Sequence, residues 1–114
     1  MKEIGYKNIK STLGKDVVMI DIRRADEWAK TGIIPNSIKI TFFDEAGNCD
    51  TKSWLEKFKK YVKNKEQPFV LICRTANRTK SVGSFLEDQG YKKVYDLKGG
   101  ITFGYMELGL ETQK

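Results

Sequence analysis

The sequence contains no histidine, and its 114 residues include only two cysteines, Cys49 and Cys73. The missing histidine excludes a Cys–His catalytic pair and any histidine general base within the chain. Two cysteines without a C-x-x-C pair are too few for a zinc site, so we expect no bound metal. Structural disulfides are rare in the cytoplasm, and we therefore expect two free thiols. Cys49 lies in a polar, turn-like stretch and is interpreted as an incidental exposed thiol.

Long hydrophobic runs are also missing. The chain has no stretch of about 18 apolar residues, so we expect no membrane-spanning helix and no membrane partner. Residues 1–10 lack the apolar segment of a signal peptide, and a cytoplasmic location is expected. The composition, 39% hydrophobic and 32% charged, is typical of globular proteins. The length predicts one domain over residues 1–114, and no feature of the sequence indicates a cofactor.

Charge of one sign predominates, with a net charge of +6. Much of the excess comes from lysine clusters at 57–60, 63–65 and 92–93. No nucleic-acid-binding motif accompanies these lysines, so a nucleic-acid partner is not expected. We expect only a modest attraction for small anions.

Hydrophobic patterning predicts an alternation of short strands and helices. The predicted strands are a short edge strand containing Ile4, Tyr6 and Ile9, and strands at 17–20, 37–41, 69–72 and 94–97. The predicted helices are at 25–30, at 54–62 with a cap at Asp50, Thr51 or Ser53, at 79–89, and at 101–108. Residues 111–114 are expected to be frayed. Alternating strands and helices predict an α/β fold in which helices cover both faces of a parallel sheet.

The most informative stretch joins the buried strand at 69–72 to the following helix. Cys73 opens the connecting loop, which carries two arginines and no acid. Thr79 is predicted to cap the helix and Gly90 to end it. A cysteine before a helix N-terminus meets free N–H groups and the positive end of the helix dipole, which stabilise a thiolate. We interpret the loop as an anion site with a reactive cysteine; the alternative is a buried cysteine followed by solvated arginines.

This loop, with the form C-R-x-x-x-R-[S/T], resembles the active-site loop of single-domain rhodaneses, which are sulfurtransferases with a persulfide-forming cysteine. Two other motifs agree in order and spacing. The first comprises I-D-I-R at 20–23, E-W at 27–28 and G-I-I-P-N-S-I at 32–38, and the second is V-Y-D-L-K-G-G-I at 94–101. The resemblance spans residues 4–105 and implies a rhodanese-like fold with a central parallel sheet.

The resemblance implies that Cys73 takes a sulfur atom from a small donor such as thiosulfate and passes it to a thiol, cyanide or protein acceptor. We expect the backbone N–H groups of the loop to hold the transferred sulfur, and the two arginines to bind the sulfonate of the donor. The expected substrate-binding residues are Arg74, Thr75, Ala76, Asn77, Arg78 and Thr79. Asp21 and Arg23, at the end of the strand at 17–20, are interpreted as an ion pair that supports the loop after that strand.

Two alternatives stay open. Cysteine phosphatases and arsenate reductases use a C-x5-R loop, whereas Arg78 comes one residue early, which favours sulfur over phosphate. The other alternative is a persulfide carrier or a protein-interaction module. A carrier needs the same loop as an enzyme, so the sequence does not separate these two, whereas inactive rhodanese-like domains usually lack the cysteine that this chain has. Ala76 stands where many relatives have glycine, so either the backbone there is ordinary or alanine adopts a strained conformation.

Overall fold

The computed structural model describes residues 1–114 and contains one five-stranded parallel sheet with the strand order β1-β5-β4-β2-β3. The strands are β1 Lys2–Ile4, β2 Val18–Asp21, β3 Ile38–Lys39, β4 Phe69–Ile72 and β5 Val94–Leu97. The helices are α1 Tyr6–Leu13, α2 Ala25–Thr31, α3 Thr51–Phe58, α4 Arg78–Asp88 and α5 Gly100–Gly104, followed by a 3-10 turn at Met106–Leu108. The predicted α/β fold with a parallel sheet is confirmed.

The central strand β4 is buried on both faces, as its continuous apolar run predicts. Phe69, Leu71 and the following Cys73 pack into a cluster of 14 buried residues that includes side chains of α3 and α4. Val70 and Ile72 point to the opposite face, into a smaller cluster with side chains of α1 and α5. Two separate cores therefore hold β4, and its carboxyl end is a rigid place from which to start a functional loop.

The first predicted element is correct only in part. Ile4 belongs to the edge strand β1, but Tyr6 and Ile9 lie in α1. Tyr6, Ile9 and Leu13 follow a helical spacing and all contact the smaller core cluster. Gly5, in an extended conformation, separates the strand from the helix.

Two predicted helices are shorter than expected. Asp50 caps α3 by accepting a hydrogen bond from the Ser53 backbone N–H at 3.1 Å, but the helix ends at Phe58 instead of residue 62. The last predicted helix is divided, because α5 ends at Gly104 and a 3-10 turn follows. No helix in the protein is both long and apolar enough to cross a membrane.

The prediction that residues 111–114 are frayed is wrong. Gln113 pairs with Ile33 through two backbone hydrogen bonds of 2.7 Å. The Thr112 hydroxyl donates to the Thr31 carbonyl at 2.6 Å. Backbone pairing holds this segment against the end of α2, and such pairing leaves no hydrophobic pattern in the sequence.

Candidate active site

Cys73 lies directly after β4, at the carboxyl edge of the sheet, and a short loop leads from it into α4. Its side chain is 1% exposed, yet it borders a cavity of about 340 Å³ that opens beside the loop. The other residues that line this cavity are Arg24, Glu27, Arg74, Thr75, Asn77 and Arg78. The structure thus brings the predicted cysteine together with four of the six predicted substrate-binding residues, while Ala76 and Thr79 lie buried behind them.

The loop is rich in unused backbone donors. None of the backbone N–H groups from Arg74 to Thr79 donates a hydrogen bond to another group of the protein. The last of them belong to the first turn of α4, where the helix dipole is positive. A run of free N–H groups with this partial charge is suited to an anion.

Thr79 does not cap α4 as predicted. The helix begins at Arg78, the preceding Asn77 makes no capping hydrogen bond, and Thr79 lies inside the first turn. Its side chain is fully buried, and its Oγ1 donates to the Ala76 carbonyl at 3.1 Å. The same Oγ1 lies 3.8 Å from Cys73 Sγ. Thr79 therefore supports the cysteine from the protein interior. The other end matches the prediction, because the helix ends at Asp88 and Gly90, with a φ of +98°, follows the C-cap residue Gln89.

Ala76 has a φ of 71°, in the left-handed region that glycine adopts without penalty. The loop therefore keeps the backbone that a glycine would favour, and alanine occupies it at a cost of about 1 kcal/mol. Of the two possibilities that the sequence leaves open, the strained one is correct.

Arg78 does not extend freely into the cavity. Its Nη1 and Nη2 atoms donate to Glu27 Oε1 and Oε2 at 2.8 and 2.6 Å. Burial alone would raise the pKa of Glu27, but hydrogen bonds from Arg78 and from the Arg24 backbone outweigh it and lower that pKa. Glu27 is therefore held as a carboxylate beside the cavity. The motif E-W at 27–28 singles out this acid, but nothing in the sequence pairs it with Arg78.

Of the three arginines that line the cavity at Cys73, Arg74 is the one without an ion-pair partner. Its side chain is exposed and takes part in none of the five ion pairs of the protein. It borders the cavity at Cys73 and also an adjoining polar cavity of about 240 Å³ between α2 and α5. An anion that enters either cavity meets an uncompensated guanidinium at this position.

Asp21 and Arg23 form a fully buried ion pair, with Arg23 Nη2 donating to Asp21 Oδ2 at 2.9 Å. Arg23 also donates to the Thr31 hydroxyl at 2.8 Å and to the Gly32 carbonyl at 2.7 Å. The pair thus ties the end of β2 to the end of α2, as an ion pair with a supporting role would. Neither residue borders the cavity at Cys73.

The double glycine after β5 brings α5 against the start of the loop. The N–H groups of Ile101 and Thr102 donate to the carbonyls of Cys73 and Arg74 at 2.9 and 3.1 Å. Gly100 has a φ of +65°, and a Cβ there would lie 2.5 Å from the Arg74 carbonyl oxygen. Only glycine permits this approach without displacement of the loop.

Cys49 is not the exposed thiol expected from its polar surroundings. It is half-buried and packs against the larger core cluster. Burial, with smaller contributions from Asp50 and Asp44, raises the pKa of its thiol. These surroundings oppose thiolate formation, which separates Cys49 from the loop chemistry.

The fold and this loop together define an α/β protein with a cysteine at the N-terminus of a helix, on the carboxyl edge of a parallel sheet. Residues 6–103 match the family model described as "Rhodanese-like domain". The chain belongs to the rhodanese-like domain family.

Relatives and solved structures agree with this assignment. The chain is 36% identical over 97 residues to "Rhodanese domain-containing protein CG4456" of Drosophila melanogaster, a match that covers 82% of the chain and 87% of the relative. It is 32% identical over 103 residues to a Bacillus subtilis protein provisionally named sulfurtransferase YtwF, covering 89% of the chain and 87% of the relative. Other relatives are named sulfurtransferase, thiosulfate sulfurtransferase and tRNA uridine(34) hydroxylase.

Among solved structures, a rhodanese-like domain protein from Staphylococcus aureus superimposes with a TM-score of 0.70. The match covers 100% of both chains at 23% sequence identity, and it therefore shows the fold alone.

Proposed function

We propose that the protein is a sulfurtransferase, formed by residues 1–114 as one domain, that carries sulfur as a persulfide on Cys73. One observation carries the proposal: Cys73 borders a cavity, and the backbone N–H groups of the loop after it are unpaired. Names of relatives support the same chemistry.

In the first half-reaction the Cys73 thiolate attacks the outer sulfur of thiosulfate or a similar donor. The bond between Cys73 Sγ and this sulfur forms while the sulfur–sulfur bond of the donor breaks, and sulfite leaves with the electron pair. The product is a Cys73 persulfide with its negative charge on the terminal sulfur. Free N–H groups of the loop and the dipole of α4 stabilise that charge.

In the second half-reaction a nucleophile attacks the terminal sulfur, and Cys73 leaves as a thiolate. Cyanide becomes thiocyanate, and a thiolate of a small molecule or a protein acceptor becomes a persulfide. Cysteine is regenerated in the state needed for the next cycle. No general base is needed if Cys73 reacts as a thiolate, which suits a chain without histidine.

The two arginines have different roles in this proposal. Arg74, exposed and without an ion-pair partner, binds the sulfonate of the donor. Arg78 is already bound by Glu27 through both terminal nitrogens, so it orders the loop and lends charge. Its pairing also argues against phosphatase chemistry, because the arginine fork that would bind phosphate is occupied.

Steady-state assays test this function directly. Purified protein is assayed with thiosulfate and cyanide for thiocyanate formation, and separately with an aryl phosphate. We expect thiocyanate formation that is lost in Cys73→Ser and retained in the matched control Cys49→Ser. Cysteine-dependent turnover of the aryl phosphate, with none of thiosulfate, would overturn the proposal in favour of a phosphatase.

A further inference from the structure

Asp96 on β5 is a buried acid that the sulfur-transfer steps above do not use. Its side chain is 1% exposed, and its Oδ1 atom has no hydrogen-bond partner. Its Oδ2 lies 3.3 Å from Thr79 Oγ1, which in turn lies 3.8 Å from Cys73 Sγ. The Thr79 hydroxyl therefore connects the buried carboxyl group to the sulfur of Cys73.

The surroundings of Asp96 favour its neutral form. It pairs in register with Leu71 of β4 and lies next to α4, over the larger apolar cluster. Burial is the main reason that the pKa of Asp96 is raised, and Glu3 on β1 raises it further. The hydrogen bond with Thr79 and the charge of Lys80 on α4 act in the opposite direction but are weaker. Glu3 pairs in register with Asp96 across the sheet, Lys80 lies on the neighbouring α4, and α5 carries no titratable group.

The single hydrogen of the Thr79 hydroxyl makes the protonation state of Asp96 important. An ionised Asp96 accepts only, so it competes with the sulfur for that hydrogen. A neutral Asp96 donates its own proton to Thr79 Oγ1 and leaves the Thr79 hydrogen free for a better acceptor. A thiolate or persulfide sulfur is charged and outcompetes the neutral Ala76 carbonyl, because hydrogen bonds to charged acceptors are stronger.

We propose that Asp96 is a positioning residue which, as a neutral acid, donates to Thr79 Oγ1 and thereby turns the Thr79 hydroxyl hydrogen towards the sulfur anion on Cys73. The sulfur then receives one charge-assisted hydrogen bond from the protein interior, in addition to any from the backbone N–H groups of the loop. When Asp96 ionises at higher pH, this hydrogen bond is lost and a second negative charge lies behind the sulfur.

This inference rests on the proposed function for its purpose, but its test does not need sulfur chemistry. The rate of Cys73 alkylation by iodoacetamide is measured from pH 5 to 10, with peptide mass spectrometry to separate Cys73 from Cys49. The variants are Thr79→Val, Asp96→Leu, Asp96→Asn and the double variant Thr79→Val/Asp96→Leu. Circular dichroism confirms that each variant is folded.

At the acid end of the pH range, Thr79→Val should slow alkylation about ten-fold, the size of one hydrogen bond to a charged group. Asp96→Leu should slow it by a smaller factor, because the Thr79 hydroxyl can still reach the sulfur but is no longer held towards it. The double variant should be no slower than Thr79→Val, since both substitutions break the same chain. Asp96→Asn keeps a donor and should match the wild type at pH values below the raised pKa of Asp96. At alkaline pH this variant should therefore lack the slowing of alkylation that ionisation of Asp96 causes in the wild type.

Two results would overturn the proposal. One is additive losses in the double variant. The other is a large acceleration by Asp96→Asn at acidic pH, which would mean that Asp96 is already ionised there. If alkylation follows the expected pattern while thiosulfate loads no sulfur, the proposed function fails and this inference stands.

Discussion

Arg78 and Glu27, 51 residues apart in the chain, join α4, the helix after the Cys73 loop, to α2 through two hydrogen bonds of 2.8 and 2.6 Å. The same carboxylate accepts from the Arg24 backbone N–H at the start of α2. Glu27 therefore orders two helix starts at once and fixes one side of the cavity at Cys73. Removal of its charge should affect stability in a way that depends on pH.

Glu27→Gln should lower the free energy of unfolding by about 1 kcal/mol at neutral pH, since the ion pair is partly buried. The pKa of Glu27 is lowered in the folded protein, so its stabilisation is complete above the ordinary value of 4.5. It is lost as pH falls through the folded-state value. Denaturant unfolding at several pH values should show a difference between wild type and variant that shrinks below that range. Asp26→Asn, an exposed acid on the same helix, is the control; an equal effect there would contradict a special role for Glu27.

Ala76→Gly should stabilise the protein by roughly 0.5 kcal/mol, because relief of the left-handed strain exceeds the added entropy of the unfolded chain. Ala46→Gly is the matched control, since Ala46 is exposed and has no positive φ. We expect that control to be neutral or destabilising in urea unfolding. If Ala76→Gly is as destabilising as Ala46→Gly, the strain attributed to the loop is absent.

Gly100→Ala tests the contact between α5 and the loop that begins at Cys73. A methyl group would approach the carbonyl oxygens of Arg74 and Cys73 to 2.5 and 2.7 Å. Gly109 also has a positive φ, +77°, but nothing lies within 4 Å of its added Cβ. Gly109→Ala should cost about 1 kcal/mol for the backbone alone. Gly100→Ala should cost at least about 2 kcal/mol more, as overpacking does, and should reduce sulfur transfer. Equal losses in the two variants would show that the close approach has no energetic consequence.

Arg74→Ala should raise the KM for thiosulfate about ten-fold, the effect of one lost hydrogen bond to a charged group, with little change in stability because the side chain is exposed. Arg74→Lys should recover part of the affinity through its charge. Lys92→Ala serves as the control in the same kinetic assay, because it removes an exposed cation that lines neither cavity beside Arg74. An unchanged KM in Arg74→Ala would move the donor-binding role to other residues.

Much of the fold was predictable because its strands are short apolar runs. Strands β2, β4 and β5 lie within a residue of their predicted bounds, and Gly90 follows the end of α4 as expected. Cys73 and its loop stood out because charged residues of one sign beside a cysteine follow a buried strand. Local sequence thus carried the information for these features.

Contacts between distant polar groups were not predictable. Glu27 and Arg78 show no periodicity that pairs them, and Gln113 pairs with Ile33 only through backbone atoms. Asp96 looks like an ordinary polar position on a strand, yet it lies buried beneath α4. Such contacts depend on the packing of whole elements, and no single stretch of the chain encodes them.

The most direct test of the central claim is the intact mass of the protein after incubation with thiosulfate and again after addition of cyanide. We expect the wild type and Cys49→Ser to gain the mass of one sulfur atom, and cyanide to remove it. Peptide mapping should place the added sulfur on Cys73, and Cys73→Ser should gain none. Sulfur found on Cys49 alone, or none in the wild type, would contradict the assignment of Cys73 as the sulfur carrier.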